Sequence, residues 1–432
     1  LFKTLRDAFK VKEIRSKILF TLGILVIYAL GSQVTVPGVN AKALTSIGQT
    51  GLISFMDTVS GGGLSNYSIF SMGVSPYITA QIVIQLLQMD IVPKLTEWSK
   101  QGEVGRRKSN QVTRYLTIVL AFVQSIGITA GFNALSSMGL VKNPGTGTFI
   151  VIGIILTGGT MLLTWMGEQI TDRGLGNGIT MIIFAGIIAR LPAGVQQLYK
   201  DQVVNAGAGN QWKGWIFLAV LLIAVLVIIA FVTYVQQANR KIPIRYTRRV
   251  VGGGSESFLP LKINVAGVIP VIFASSFIVM PSTILLIFQQ NHSEDHWFQV
   301  LQNVFSMQTT TGAILYTVLI ILFTFFYAFV QVNPEKVSEN LQKQGSYIPS
   351  VWPGKATEKY LSTMLMKLST VGSLFLGLVA LLPQLATNLW GLPQSIGLGG
   401  TSLLIVVQAA IEMNRQLSGL LMKREYVGFI RD

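Results

Sequence analysis

Residues 51–89 read GLISFMDTVSGGGLSNYSIFSMGVSPYITAQIVIQLLQM. The first part, Gly51 to Val59, is apolar through Leu52, Ile53, Phe55, Met56 and Val59. It is far shorter than the about 20 residues that a membrane-crossing helix needs. It runs into Gly61-Gly62-Gly63, a pliable hinge without helix-forming side chains. The second part, Ile69 to Met89, is long enough to span but carries Gly73 and Pro76 near one end, so a kinked span is expected. Val74 and Ile78 stand four apart and so share a helical face. A half-inserted apolar segment hinged to a span reads as a movable piece held inside a membrane protein.

The rest of the chain is the frame around that piece. The 432 residues are 50% hydrophobic and 12% charged, with a mean hydropathy of +0.55. Soluble domains carry roughly 25% charged residues. Hydropathy predicts ten spans, near 18–36, 69–89, 115–135, 149–167, 179–198, 215–235, 265–288, 313–332, 369–387 and 401–420. The net charge of +15 could signal a nucleic-acid binder, but 28 of the 33 Lys and Arg fall in alternate segments, counting the N-terminal one. That asymmetry predicts both termini inside and makes the charge a topology signal, so no DNA partner is expected. There is no cysteine, hence no disulfide and no thiolate metal site. The basic tail leads into a span without a small-residue cleavage site, which reads as an anchor.

Residues 1–17 set Leu1, Leu5, Ala8, Phe9 and Ile14 against Lys3, Arg6, Lys10, Lys12 and Lys17, the pattern of an amphipathic helix on the inner surface. The loop after span two carries Gly105-Arg106-Arg107-Lys108, which alone reads as a positive-inside anchor. Residues 168–180, EQITDRGLGNGIT, are glycine-rich, yet no Lys-Ser/Thr follows and no strand precedes them. A tight turn into span five is therefore expected rather than a phosphate cradle, and Ile179 and Ile183 share one face of that span. Two long inner loops stand out. Residues 237–262 carry Arg240, Lys241, Arg245, Arg248 and Arg249 before Gly252-Gly253-Gly254. Residues 333–368 open with Asn333-Pro334-Glu335, a cap and first-turn proline, and their helix is expected to stop at Gly345. Both histidines, His292 and His296, lie in one outer loop without a third ligand, so no metal is expected.

Gly73-Val74-Ser75-Pro76-Tyr77-Ile78 in span two matches Gly267-Val268-Ile269-Pro270-Val271-Ile272 in span seven as G-V-x-P-x-I. These are the second spans of two five-span halves, and an odd number of spans per half makes the halves inverted in the membrane. The expected architecture is thus an all-α polytopic membrane protein of ten transmembrane helices in two inverted five-helix halves. The span interiors hold almost no ionisable residue, since Glu168, Arg190, Glu412 and Arg415 fall at ends. Ion-coupled transporters keep such a group despite its cost of about 3 kcal/mol or more. This weighs against a small-solute transporter, and an intramembrane enzyme has no machinery in the sequence. The interiors instead hold Gln81, Gln85, Gln124 and Gln408, suited to interhelical hydrogen bonds or to a gate between helices.

Several stretches converge on one family: SIFSMGVSPYITAQIVIQLLQMD, EWSKQGEVGRRK, TRYLT, TDRGLGNGIT, LPLKINVAGVIPVIFASS, NPEKVSENLQKQGSYIPSVWPG with TEKYL, and LGGTSLLIVV. Over essentially its whole length the chain resembles the SecY family, the channel subunits of the bacterial Sec protein translocase. The resemblance implies a clamshell around an hourglass pore, with an N-terminal half at 18–198, a C-terminal half at 199–420 and a cytosolic tail at 421–432. It implies a plug at 51–64, including Leu52, Ile53, Phe55, Met56, Asp57, Val59, Gly61 and Gly62. The pore ring would be Val74, Ile78, Ile179, Ile183, Ile272 and Ile405, and Ile82, Gln85, Gln124, Ser276 and Met280 would face a lateral gate between spans two and three and spans seven and eight. Partners would be SecE and SecG subunits, the SecA ATPase, the ribosome, signal sequences of secretory precursors and the lipid bilayer of the plasma membrane, with no cofactor and no catalytic residue. Docking of SecA or the ribosome would use Arg106, Arg107, Lys108, Arg245, Arg248, Arg249, Trp352 and Lys355. The chain departs from the family pattern at Trp352 and Ala29, where arginine is usual, and at the loop tip GGGSESF, which is usually basic.

Overall fold

The computed structural model describes residues 2–40, 63–89, 91–135, 140–204, 211–246, 257–292, 295–306, 309–390 and 400–428. Residues 51–62, with every plug position proposed before Gly63, lie outside the described residues, as do Arg248, Arg249 and Gly252 to Gly254. A helix occupies each of the ten predicted span positions. In chain order the helices are α1 (Phe2–Lys10), α2 (Lys12–Gly31), α3 (Ser75–Leu87), α4 (Pro93–Lys100), α5 (Glu103–Leu135), α6 (Thr146–Arg173) and α7 (Gly178–Tyr199). After α7 and a π turn at Lys200–Val204 come α8 (Gln211–Gln237), α9 (Ile269–His292), α10 (His296–Phe305), α11 (Thr310–Gln331), α12 (Pro334–Lys343), α13 (Lys355–Trp390) and α14 (Gly400–Gly428).

Eight of these are long and apolar enough to cross a membrane. The exceptions at span positions have physical reasons. In α14, Gln408, Glu412, Asn414, Arg415 and Gln416 dilute the apolar run. The second span is helical only over the 13 residues of α3, and Pro76 sits in its first turn. Pro76 therefore starts a helix rather than kinking one, because the first turn has no N–H to lose. The expected inner-surface helix over 1–17 is likewise corrected: extended backbone at Val11 (φ −91°, ψ 116°) ends α1, and Lys12 already belongs to α2.

The helices gather into two groups. In the first, α5 packs on α3 and α6, and α6 packs on α2 and α7. In the second, α11 packs on α9 and α13, while α14 packs on α8 and α13. The groups meet along two lines, α9 against α3 and α5, and α14 against α7. One apolar core runs through both, with Ile24, Ile78, Ile182 and Ile183 from the first and Val271, Ile278, Leu376 and Ile405 from the second.

The G-V-x-P-x-I repeat recurs as backbone geometry. Gly73 (φ 57°) and Gly267 (φ 66°) are both left-handed, and each is followed two residues later by a helix whose second residue is the proline. Only glycine adopts that backbone without strain.

The two long basic loops are one unit, which corrects the all-α expectation locally. Strands β1 (Asn239–Tyr246) and β2 (Ser257–Lys262) form an antiparallel hairpin, and β3 (Ser346–Tyr347), from the other loop, adds to β1. Ile242 and Leu261 from the hairpin, Ile348 and Leu361 share a buried cluster beneath the sheet. The alternation of Ile242 and Ile244 inward with Lys241, Pro243 and Arg245 outward is the period-2 pattern of a half-buried strand. Asn333 caps α12 by accepting from the Lys336 amide at 3.2 Å, and Gly345 (φ 64°) ends it, as its sequence predicts.

Candidate pore and docking face

Two cavities lie in line between the helix groups. The wider, about 970 Å³, opens at the basic end of the molecule and is lined by Gln81, Gln85, Arg106, Arg114, Glu168 and Asp172 among others. The narrower, about 30 Å³, is lined by Met72, Ser75, Ser275, Ser276, Val279 and Thr401 together with apolar residues. Three residues line both: Ile78, Ile183 and Ile272. They form an apolar waist between a wide and a small chamber. Ile179 adds to the wide side and Ile405 to the narrow side. Val74 is buried in the same core and lines neither cavity. It is the residue before α3, and its carbonyl accepts from the Ile78 amide at 3.1 Å, so it stands one helical turn before Ile78.

The helices that carry the waist are fixed by local chemistry. Asn177 caps α7 by accepting from the amides of Ile179 (3.1 Å) and Thr180 (3.3 Å). In the preceding glycine turn the amides of three residues are already bonded: Leu175 donates to Thr21 Oγ1, Gly176 to Gln416 Oε1 and Gly178 to Thr171 Oγ1. Gly178 also packs directly on α6, where a Cβ would lie 1.8 Å from the Gly167 carbonyl oxygen.

The wall of the wide chamber holds an ion pair that has no signature in the sequence. Arg114 of α5 donates from Nε and Nη2 to the two carboxylate oxygens of Glu168 of α6, at 3.1 and 2.6 Å. Fork-to-fork pairing fixes orientation as well as distance. These residues are 54 apart in the chain, so no periodicity connects them.

The positions read as a lateral gate fall along the line where α3 and α5 meet α9. Ile82 is buried, Ser276 lines the narrow cavity, and Met280 is half-buried on α9. Gln85 Oε1 and Gln124 Nε2 are buried without a hydrogen-bond partner among the described residues. Further along, Gly131 of α5 meets α9 so closely that a Cβ there would lie 2.4 Å from Leu286 Cβ. The seam is shut at this level.

On the basic end, α4 and α5 form a helical hairpin. Gly105 is required by packing rather than charge, since a Cβ would lie 1.9 Å from the Trp98 carbonyl oxygen. Arg106 lines the wide chamber, Arg107 pairs with Glu103 at 3.4 Å, and Lys108 Nζ lies 5.9 Å from the Trp98 ring centroid. Arg245 is exposed on β1, and Lys355 is exposed at the start of α13. Trp352 is 84% exposed, a large aromatic surface with no packing role. Partial burial, then the nearby Arg415 charge, lowers the pKa of Lys262 against an opposing pull from Glu412.

Helix groups that enclose two chambers with an apolar waist define a multi-pass membrane protein of the channel class. The family model for SecY matches residues 68–414. The protein translocase subunit SecY 1 of Lactobacillus kefiranofaciens subsp. kefiranofaciens is 69% identical over 431 residues, covering 100% of both chains. Among solved structures, a SecY protein studied for the plug domain that stabilises the closed state of its translocation channel aligns with TM-score 0.62 at 20% identity, over 93% of this chain and 91% of that one. Sec61 in the canine ribosome–channel complex from the endoplasmic reticulum aligns with TM-score 0.59 at 18% identity, over 93% and 91% of the two chains. The chain belongs to the SecY family.

Proposed function

We propose that this chain is the protein-conducting channel of a bacterial plasma-membrane translocase, passing unfolded secretory proteins across the bilayer and releasing transmembrane segments into it. The observation that carries this reading is the waist of Ile78, Ile183 and Ile272 between two chambers. An apolar constriction dewets, hindering ions and water, and still fits loosely around any passing side chain. Ile179 and Ile405 complete the ring in this reading, and Val74, one turn before Ile78, backs it from the core. The segment 51–64 serves as the plug in this reading. A signal sequence, itself an apolar helix, leaves sideways through the gate at Ile82, Gln85, Gln124, Ser276 and Met280.

The chain performs no catalysis in this reading. ATP chemistry belongs to SecA, which docks with the ribosome as its alternative on the basic face of Arg106, Arg107, Lys108, Arg245, Arg248, Arg249, Trp352 and Lys355. The joined β1–β3 sheet supports that assignment, because it makes one platform of two loops. SecE and SecG complete the assembly, with both termini of this chain in the cytosol.

The test is protease protection. The chain is reconstituted with SecE and SecG subunits in sealed vesicles and given SecA, ATP and an unfolded secretory precursor. ATP-dependent protection of the full-length precursor is expected. No protection from vesicles that instead exchange a labelled small solute would overturn the channel reading in favour of a transporter.

A further inference from the structure

We propose that Gln416 is a positioning residue that holds the two helix groups in register at the waist. The Gly176 backbone N–H donates to Gln416 Oε1 at 2.7 Å, across 240 positions of sequence and between the first helix group and the second. Gly176 is left-handed (φ 82°) and immediately precedes the Asn177 cap of α7, the helix that carries Ile179 and Ile183. On the other side, α14 carries both Gln416 and Ile405, about 16 Å apart along the helix axis at 1.5 Å per residue. The other amides of the turn are held within the first group, by Thr21 and Thr171. Beside them, Leu175 packs with Ala8, Ile14 and Ile18 against Leu417 of α14. Apolar contact resists separation but is non-directional, so helices in it can slide and rotate. A hydrogen bond fixes direction, and this one ties the turn before α7 to α14, the two helices that carry Ile183 and Ile405.

The inference rests on the waist being the seal, so the experiment separates the two. The chain with its SecE and SecG partners is placed in iodide-loaded vesicles, and resting efflux is compared for Gln416→Ala, Gln416→Glu and Ile183→Gly. Gln416 is exposed apart from this contact, so its truncation opens no core cavity. Efflux several-fold above the parent is expected for Gln416→Ala, parental sealing for Gln416→Glu, whose carboxylate keeps the acceptor, and a leak for Ile183→Gly. A sealed Gln416→Ala beside a leaking Ile183→Gly overturns the role of Gln416 and leaves the waist standing. Sealing of both overturns the waist and the inference with it, and a leak from Gln416→Glu equal to that of Gln416→Ala overturns the acceptor role. Spin labels at Ile188→Cys on α7 and Met422→Cys on α14, in a chain with no other cysteine, give a second readout. Their distance distribution is expected to broaden with Gln416→Ala and to return with Gln416→Glu; an unchanged distribution overturns the inference.

Discussion

At the scale of single residues, the proposed seal depends on the branched apolar side chains that line both cavities, since an apolar constriction favours dewetting. Replacing Ile78 and Ile183 together with glycine removes two of the three side chains that line both chambers. Water and ions then have a continuous path, and planar-bilayer recordings are expected to show a standing conductance absent from the parent. An unchanged conductance would count against the waist as the seal. The spacing of Ile179 and Ile183 was legible because both sit on a continuous helix, where positions four apart share a face. Val74 and Ile78 have the same spacing, and the Val74 carbonyl accepts from the Ile78 amide across that turn, while the Val74 side chain is buried in the core and lines neither cavity. The Arg114–Glu168 pair was not legible at all, since nothing local links a residue to a partner 54 positions away.

At the scale of elements, the sequence carried the ten helix positions and the Asn333 cap. It misjudged the second span, where a proline in the first turn starts α3 instead of kinking a longer helix. It also missed the sheet, because β3 is only two residues long and pairs with a strand in another loop. The G-V-x-P-x-I repeat is where a weak sequence signal has a structural cause: a left-handed glycine, one residue, then a helix opening with proline at its second position. Gly73→Ala and Gly267→Ala each force a Cβ into the left-handed region, at a cost of roughly 1–2 kcal/mol. Each is expected to lower the thermal unfolding midpoint of the purified protein, and the two losses are expected to be similar because the backbone is the same. An alanine tolerated at one site alone would show that the two helix starts are not equivalent.

At the scale of the whole molecule, the two helix groups touch along two lines, and the polypeptide connection at 199–211 tethers the groups to each other. The α7–α14 line lies beside that connection, since α8 packs on both α14 and the π turn that extends α7. The α3/α5–α9 line has no such link beside it and is the side proposed to part. Gly131 and Leu286 approach closely across it, since an added Cβ at Gly131 would lie only 2.4 Å from Leu286 Cβ. A disulfide needs Cβ atoms about 3.5–4.5 Å apart, so Gly131→Cys with Leu286→Cys requires a separation of about 1 Å or slightly more, small for a helix pair. The native chain has no cysteine to compete. Oxidation of this double variant is expected to abolish ATP-dependent protection of a secretory precursor, and reduction to restore it, while each single variant translocates in both conditions. Because the bond would lie at the seam and not in the waist, resting ion leakage should be the same oxidised and reduced. Full translocation through the oxidised, cross-linked chain would mean that this seam need not part for a polypeptide to pass, and that the opening lies elsewhere.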